Sequence, residues 1–341
     1  MAKRTRVFLL LAAGVVVAGL GTGFVAWSMG VPVFAAFGSN SPGELAYVPD
    51  NVQMVAYADV RQVMSSSFRD KLQQLQRDNA ATPDGLEART GINLATDIDR
   101  VVAASSAGGD TLRADRPLIV ALGRFNEVKI EGLMRDQGAQ VEQYRGKRLV
   151  VIKDETHDAA LVFPEAGVVL FGSGAAVRRA LDTKAGAAGN ITGNKEFMDL
   201  VDGVVEGTAW TVAKVDTLTG RTPLPAEVAK QLPPINWLAA SGRVDGDLHL
   251  LVRAETRDEE AARNLRDVIR GFMALARIQG SRAPELKGML DSAELGGEGK
   301  TVSLAFDVTP DVLDSLGSAG ARRRPGLPRR PPSPPGAPQV F

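Results

Sequence analysis

The chain has 341 residues, 44% hydrophobic and 23% charged, with 36 glycines and 19 prolines, which is foldable but loop-rich usage. Its formal charge is zero, yet all 40 acidic residues lie between Glu44 and Asp314 with 32 of the 40 basic ones; that leaves a body at −8 and argues against nucleic acid as a partner. With no cysteine, disulfides, thiolate metal sites, a lipid-modified N-terminal Cys and thiol nucleophiles are excluded together, and His157 and His249 are the two imidazoles left.

Lys3, Arg4 and Arg6 make residues 1–6 a basic cytoplasmic N-terminus, and no ionisable side chain follows until Glu44. Val7 to Gly30 is nearly all Leu, Val, Ala, Gly and Phe. As a helix at about 1.5 Å per residue it reaches about 36 Å, enough for a hydrocarbon core of about 30 Å. The charge bias predicts a single-pass signal anchor at 7–30 in the cytoplasmic (inner) membrane, N-terminus in and body periplasmic, with Trp27 at the outer interface. The alternative is a cleaved signal peptide, for which Ala26 and Ser28 offer small residues; the length of the apolar run favours retention.

After a linker at 31–43, Val52 to Asp59 reads as a strand, and Asp59 with Gln62 makes a capping signal before Met64, Phe68, Leu72 and Leu75 at helical spacing. Ile98 to Ser105 and Pro117 to Gly123 are short apolar strands. Asn126 caps a helix carrying Ile130, Leu133 and Met134, which Gly138 ends. Val141 to Tyr144 and Arg148 to Ile152 flank a tight turn at Arg145-Gly146-Lys147; a further hairpin spans Ala159 to Phe171, and two short helices surround the Gly/Ala stretch from Ala185 to Gly193. Thr208 to Asp216 is again a strand. Trp237 to Val244 and Asp247 to Glu255 join through Asp245-Gly246, a type I′ hairpin signal. Thr256 and Glu259 read as the capping pair of a helix from Asp258 to Ile278 whose stripe of Leu265, Val268, Ile269, Phe272 and Leu275 packs on a sheet.

The two halves share offsets. Ile98-Asp-Arg-Val-Val-Ala before Gly109-Asp110 parallels Ile235-Asn-Trp-Leu-Ala-Ala before Gly246-Asp247, and Gly146-Lys147 parallels Gly299-Lys300. The expected fold class is therefore α+β: an N-terminal transmembrane helix, then mostly antiparallel sheets with helices on one face, built from a duplicated strand, connection, hairpin, helix, hairpin unit. The first copy with an appendix spans 44–204, the second 205–317, and 318–341 is a disordered basic tail with seven prolines.

Chemical motifs are weak. Phe171-Gly-Ser-Gly174 lacks the third glycine of a dinucleotide turn, which leaves Ser173 as a helix cap. Glu155-Thr-His-Asp158 reads as a surface turn with no second histidine nearby, and His249 alternates with Leu248 and Leu250 onto the wetter strand face with Arg253. Asp97 and Asp99 lie on one side of an extended chain, as an acid/base pair would, or as a solvated strand entrance would. No residue is assigned a catalytic, cofactor-binding or metal role, and no cofactor is expected.

Leu45-Ala-Tyr-Val-Pro-Asp-Asn51, Tyr57-Ala-Asp59, Gly91-Ile-Asn-Leu-Ala-Thr-Asp97, Gly123-Arg-Phe125 and Tyr144-Arg-Gly-Lys147 together resemble a broad set of uncharacterised bacterial single-pass membrane-anchored proteins with an extracytoplasmic α+β domain. The resemblance implies a bacterial envelope setting and carries no site residue. The expected function is a non-catalytic, membrane-tethered interaction or scaffold protein, with the membrane as partner through its N-terminal helix and an envelope protein or anionic polymer through the basic tail. The alternatives are a binder of an apolar ligand and, third, a cryptic hydrolase.

Overall fold

The computed structural model describes residues 43–66, 92–105, 117–136, 138–153, 158–214, 233–245, 247–280, 284–309 and 312. The expected anchor at 7–30, His157, most of the first amphipathic helix and the tail lie outside them. Among the described residues no helix is long and apolar enough to cross a membrane.

The described strands are β1 (Met54–Ala58), β2 (Ile98–Ser105), β3 (Leu118–Gly123), β4 (Gln140–Tyr144), β5 (Lys147–Lys153), β6 (Asp158–Glu165), β7 (Val168–Gly172), β8 (Ala209–Lys214), β9 (Ile235–Asp245), β10 (Asp247–Thr256), β11 (Glu294–Gly296) and β12 (Thr301–Val308). They form one antiparallel sheet in the order β11-β12-β10-β9-β8-β1-β2-β3-β7-β6-β5-β4. Sequence patterning suggested more than one sheet; instead β1 pairs with β8, Met54 against Ala213 through Ala58 against Ala209, and so splices the two halves edge to edge. Outward from that seam, one wing runs β1-β2-β3, then the β7-β6 hairpin, then β5-β4; the other runs β8-β9-β10-β12-β11.

Among the described residues seven helices accompany the sheet: α1 (Val60–Ser65), α2 (Leu94–Asp97), α3 (Glu127–Asp136), α4 (Gly174–Lys184), α5 (Lys195–Asp202), α6 (Glu259–Gly280) and α7 (Pro284–Asp291). Their starts follow capping chemistry. Asp59 accepts from the Gln62 N–H, Asn126 from Lys129, Ser173 from Ala176 and Asn194 from Phe197, each satisfying a first-turn amide that has no helical partner. The cap of α6 is Asp258, whose Oδ1 accepts from the Ala261 N–H, and not Thr256 as expected; the Thr256 hydroxyl bonds the carbonyls of Asp258 and Lys300. At the β4–β5 turn Arg145 and Gly146 both have positive φ, 47° and 73°, the I′ geometry that matches strand twist.

The expectation of helices on one face is corrected. Alternate residues of the first wing are buried on both sides: Leu149, Val162 and Leu170 belong to the main core under α4, whereas Val150, Leu161 and Val169 pack with Ile130 and Met134 of α3. A strand apolar on both faces needs two covers, and the appendix after β7 supplies the second. The α3 side also carries α6, where Ala262 and Leu265 meet Ala254 and Val302. The opposite side holds the largest core, which Leu45 and Tyr47 of a 3₁₀ turn (Gly43–Tyr47), with Val48 just after it, enter from the chain's N-terminal side.

Candidate functional site

Two kinds of feature offer themselves: polar groups gathered at one end of the central strands, and a helix surface that the sheet does not cover.

The polar groups meet where β1 ends and β2 begins. Glu44 is fully buried, with the Arg100 Nε 3.2 Å from its Oε1, close enough for attraction but not aligned as a hydrogen bond. Beside them Tyr57 stacks on Trp210 with ring centroids 5.6 Å apart. Burial first, then the charge of Asp59, pushes the Tyr57 hydroxyl up to about 12, while Arg100 works the other way. Burial also raises the Asp59 carboxyl, against the hydrogen bond from Gln62 that lowers it. Sequence reasoning missed Glu44 because an acid straight after a polar linker looks solvated; its burial follows from Leu45 and Tyr47 drawing the turn into the core.

Asp97 and Asp99 turn to different partners. Asp97 accepts from the Asn93 N–H at 2.9 Å and the Thr96 hydroxyl at 2.8 Å, closing the turn of α2. Asp99 pairs with Arg61 at 2.5 Å and lies 3.9 Å from Arg124. Both carboxylates are occupied by structural partners, one by backbone and hydroxyl, the other by arginines, which is the solvated-entrance arrangement.

His249 lies with its Nδ1 2.6 Å from Asp307, its cross-strand neighbour on β12. Only register could reveal this pair, since 58 residues separate the two. Ser292 stands nearby, yet its hydroxyl donates to the Met289 carbonyl and accepts from the Asp307 N–H, so the three do not form a nucleophile relay. Elsewhere Trp237 donates to Glu196 at 3.1 Å, Lys214 lies over the Trp237 ring, and Lys300 pairs with the mostly buried Glu255. Among the described residues no group of three or more His, Asp or Glu is disposed to hold a metal.

The uncovered surface is on α6. Its first half behaves as the sequence predicts: Ala261, Ala262 and Leu265 are buried, and the Arg266 Nη2 donates to the carbonyls of Gly297, Gly299 and Thr301, tying the helix to the β11–β12 turn. Its second half departs from the prediction. Leu275, expected in the core stripe, is 54% exposed and Ile278 is 73% exposed. Val268 and Phe272 are half-buried. At about 100° per residue Val268, Gly271, Leu275 and Ile278 fall along one flank of the helix, turned away from Leu265. On the same side of the sheet α3 carries Val128, 85% exposed.

No family model matches the chain, and no curated protein sequence matches it. Solved structures of the protein TP0453 are similar over most of its length. Crystal form III is 12% identical with a TM-score of 0.49, covering 82% of this chain and 99% of that one. Crystal forms I and IV are 11% and 12% identical, both with a TM-score of 0.44, covering 83% and 87% of this chain.

Proposed function

We propose that this is a membrane-tethered, non-catalytic interaction or scaffold protein of the bacterial cell envelope, its N-terminus cytoplasmic and its body periplasmic. The observation that carries the reading is the uncharged run from Val7 to Gly30 behind Lys3, Arg4 and Arg6. The engagement of Asp97, Asp99 and Asp307 with structural partners supports the non-catalytic part. Protease added to intact spheroplasts tests the topology: the body should be degraded, and full protection would overturn the orientation.

The body itself we read as a duplicated unit. Its two wings leave the β1–β8 seam in matching order, with α3 between β3 and the β4–β5 hairpin and with α6 and α7 between β10 and the β11–β12 hairpin. The β6–β7 hairpin is an insertion in the first wing, and Gly146 and Gly299, both at positive φ, occupy corresponding turns.

A second reading, a binder of an apolar ligand, is favoured by one observation. On the α3/α6 side the central strands present small residues, Ala56, Ala58, Ala103, Ala213 and Ala240, by alternation with the core-facing Val55, Tyr57, Val102, Val212 and Ala239. Native mass spectrometry of the protein extracted from its own membrane tests it; a stoichiometric co-purified lipid supports this reading, and bare protein opposes it.

A further inference from the structure

The two edges of the sheet are finished differently. β11 is three residues long, and the carbonyls of Gly297 and Gly299 just beyond it accept from Arg266. β4 is a regular five-residue strand without proline, lysine or a bulge, the devices that keep an edge from pairing further. Tyr144 and Lys147 flank the two-residue I′ turn as a hydrogen-bonded pair, so Glu142 and Gln140, at alternate positions, also bond inward to β5. The N–H and C=O of Val141 and Gln143 therefore point away from the sheet, and among the described residues nothing donates to them or accepts from them. The strand is held from within. Arg178 of α4 pairs with Glu142 and lies over the Tyr144 ring, whose hydroxyl bonds Asp182 at 2.9 Å. α4 itself rests on β6 and β7, and α3 on β5, so the covers of both faces sit inward of the edge. A fixed edge with free backbone groups loses little entropy when another strand pairs with it.

We propose that β4 is a homodimer interface, pairing antiparallel with β4 of a second copy about a dyad at Val141 to make one continuous sheet. The edge is its own complement. With Val141 facing Val141, the two exchange both their hydrogen bonds, and each Gln143 N–H meets across the dyad the Ala139 carbonyl, which accepts no other described backbone hydrogen bond. On the α4 face Gln140 stands opposite Glu142, amide against carboxylate, and no like charges meet. The neighbouring register that keeps the outward groups in contact sets Glu142 against Glu142 and is disfavoured. This self-complementarity selects a second copy over a foreign strand. A five-residue edge buries less than a standard interface, so the dimer depends on concentration. The proposal stands independently of the membrane tether.

Sedimentation of the full-length chain in density-matched detergent tests it. The parent should pass reversibly from one copy to two as concentration rises. Val141→Asp and Val141→Lys, each placing like charges at the dyad, should weaken the dimer by at least about tenfold, and their equimolar mixture should restore it. Val141 is half-buried, so thermal melts check that both variants fold. Should either unfold, Val141→Cys, a change of similar volume, carries the test in a chain with no native cysteine. A short bis-maleimide should link it to itself, while Thr192→Cys, exposed on the 3₁₀ turn Ile191–Gly193, should stay single. One copy at every concentration, a dimer unmoved by both charged variants, a mixture of folded variants that stays dissociated, or cross-linking no better at 141 than at 192 each overturns the proposal. A parent that is monomeric alone, but whose Val141 and Gln143 amides gain exchange protection in native membranes, also overturns it, in favour of a foreign strand.

Discussion

Two leucines ten residues apart on α6 give the sharpest test of how that helix is seated. Leu265 is 3% exposed and packs with Ala254, Ala262 and Val302; Leu275 is 54% exposed. Truncating a buried leucine costs about 2 to 5 kcal/mol through lost burial and the cavity left behind. Full burial of such a side chain is worth about 1.5 to 3 kcal/mol, so one that keeps about half its surface in water has about 1 kcal/mol to lose, and alanine's better helix propensity returns a little of that. Leu265→Ala should therefore destabilise by about 3 kcal/mol and Leu275→Ala by less than about 1 kcal/mol. Urea unfolding of the full-length chain in mild detergent, followed through the buried Trp210 and Trp237, measures both. Equal losses would mean that the second half of α6 is as firmly packed as the first.

Four further outcomes follow from the geometry. Arg100→Met should cost about 3 kcal/mol, since it strands the fully buried Glu44 carboxylate, whereas Glu44→Leu with Arg100→Met should recover much of the loss; a double-mutant cycle in urea reads the coupling. Gly123→Ala should be among the most damaging single substitutions, because a Cβ there would come within 1.9 Å of the Asp97 carbonyl oxygen on an adjacent backbone; a melting temperature close to the parent's would contradict it. Asn194→Ala should cost about 1 kcal/mol through the lost cap of α5, and Asn194→Asp should restore most of it in the same melts. Asp182 on α4 is held below the usual carboxylate range chiefly by the Arg145 guanidinium, with help from the Tyr144 hydroxyl. Its folded pKa being depressed, its contribution is present above the unfolded value of about 4 and is lost as pH falls through the folded one. The stability gap between the parent and Asp182→Asn should accordingly close below about pH 4, and a gap unchanged down to pH 2 would refute the pairing.

Much of the local structure was legible because it depends on neighbours in the chain. Asp59, Asn126 and Ser173 cap the helices whose first turns they precede, and Arg145-Gly146 makes the I′ turn that positive φ at both positions requires. Apolar residues bounded by turn signals likewise located β2 over Ile98–Ser105. At the candidate sites the sequence identified which groups are ionisable. It could not show that Asp97 turns to a backbone amide while Asp99 turns to Arg61, because one extended segment gives both the same side.

What only the tertiary structure decided concerns partners distant along the chain. The pairing of β1 with β8, which makes one sheet of two halves, depends on two edges meeting although Ala58 and its partner Ala209 are far apart in the chain, and no local pattern encodes that choice. The His249–Asp307 contact comes from strand register, and the burial of Glu44 from hydrophobic neighbours that pull its backbone inward. On α6 the apolar residues cover more of the helix than its covered face, so Leu265 is buried while Leu275 and Ile278, turned to one side of it, are exposed. Periodicity says which positions are apolar, but which of them meet Ala254 and Val302 of the sheet is decided by how the helix is seated.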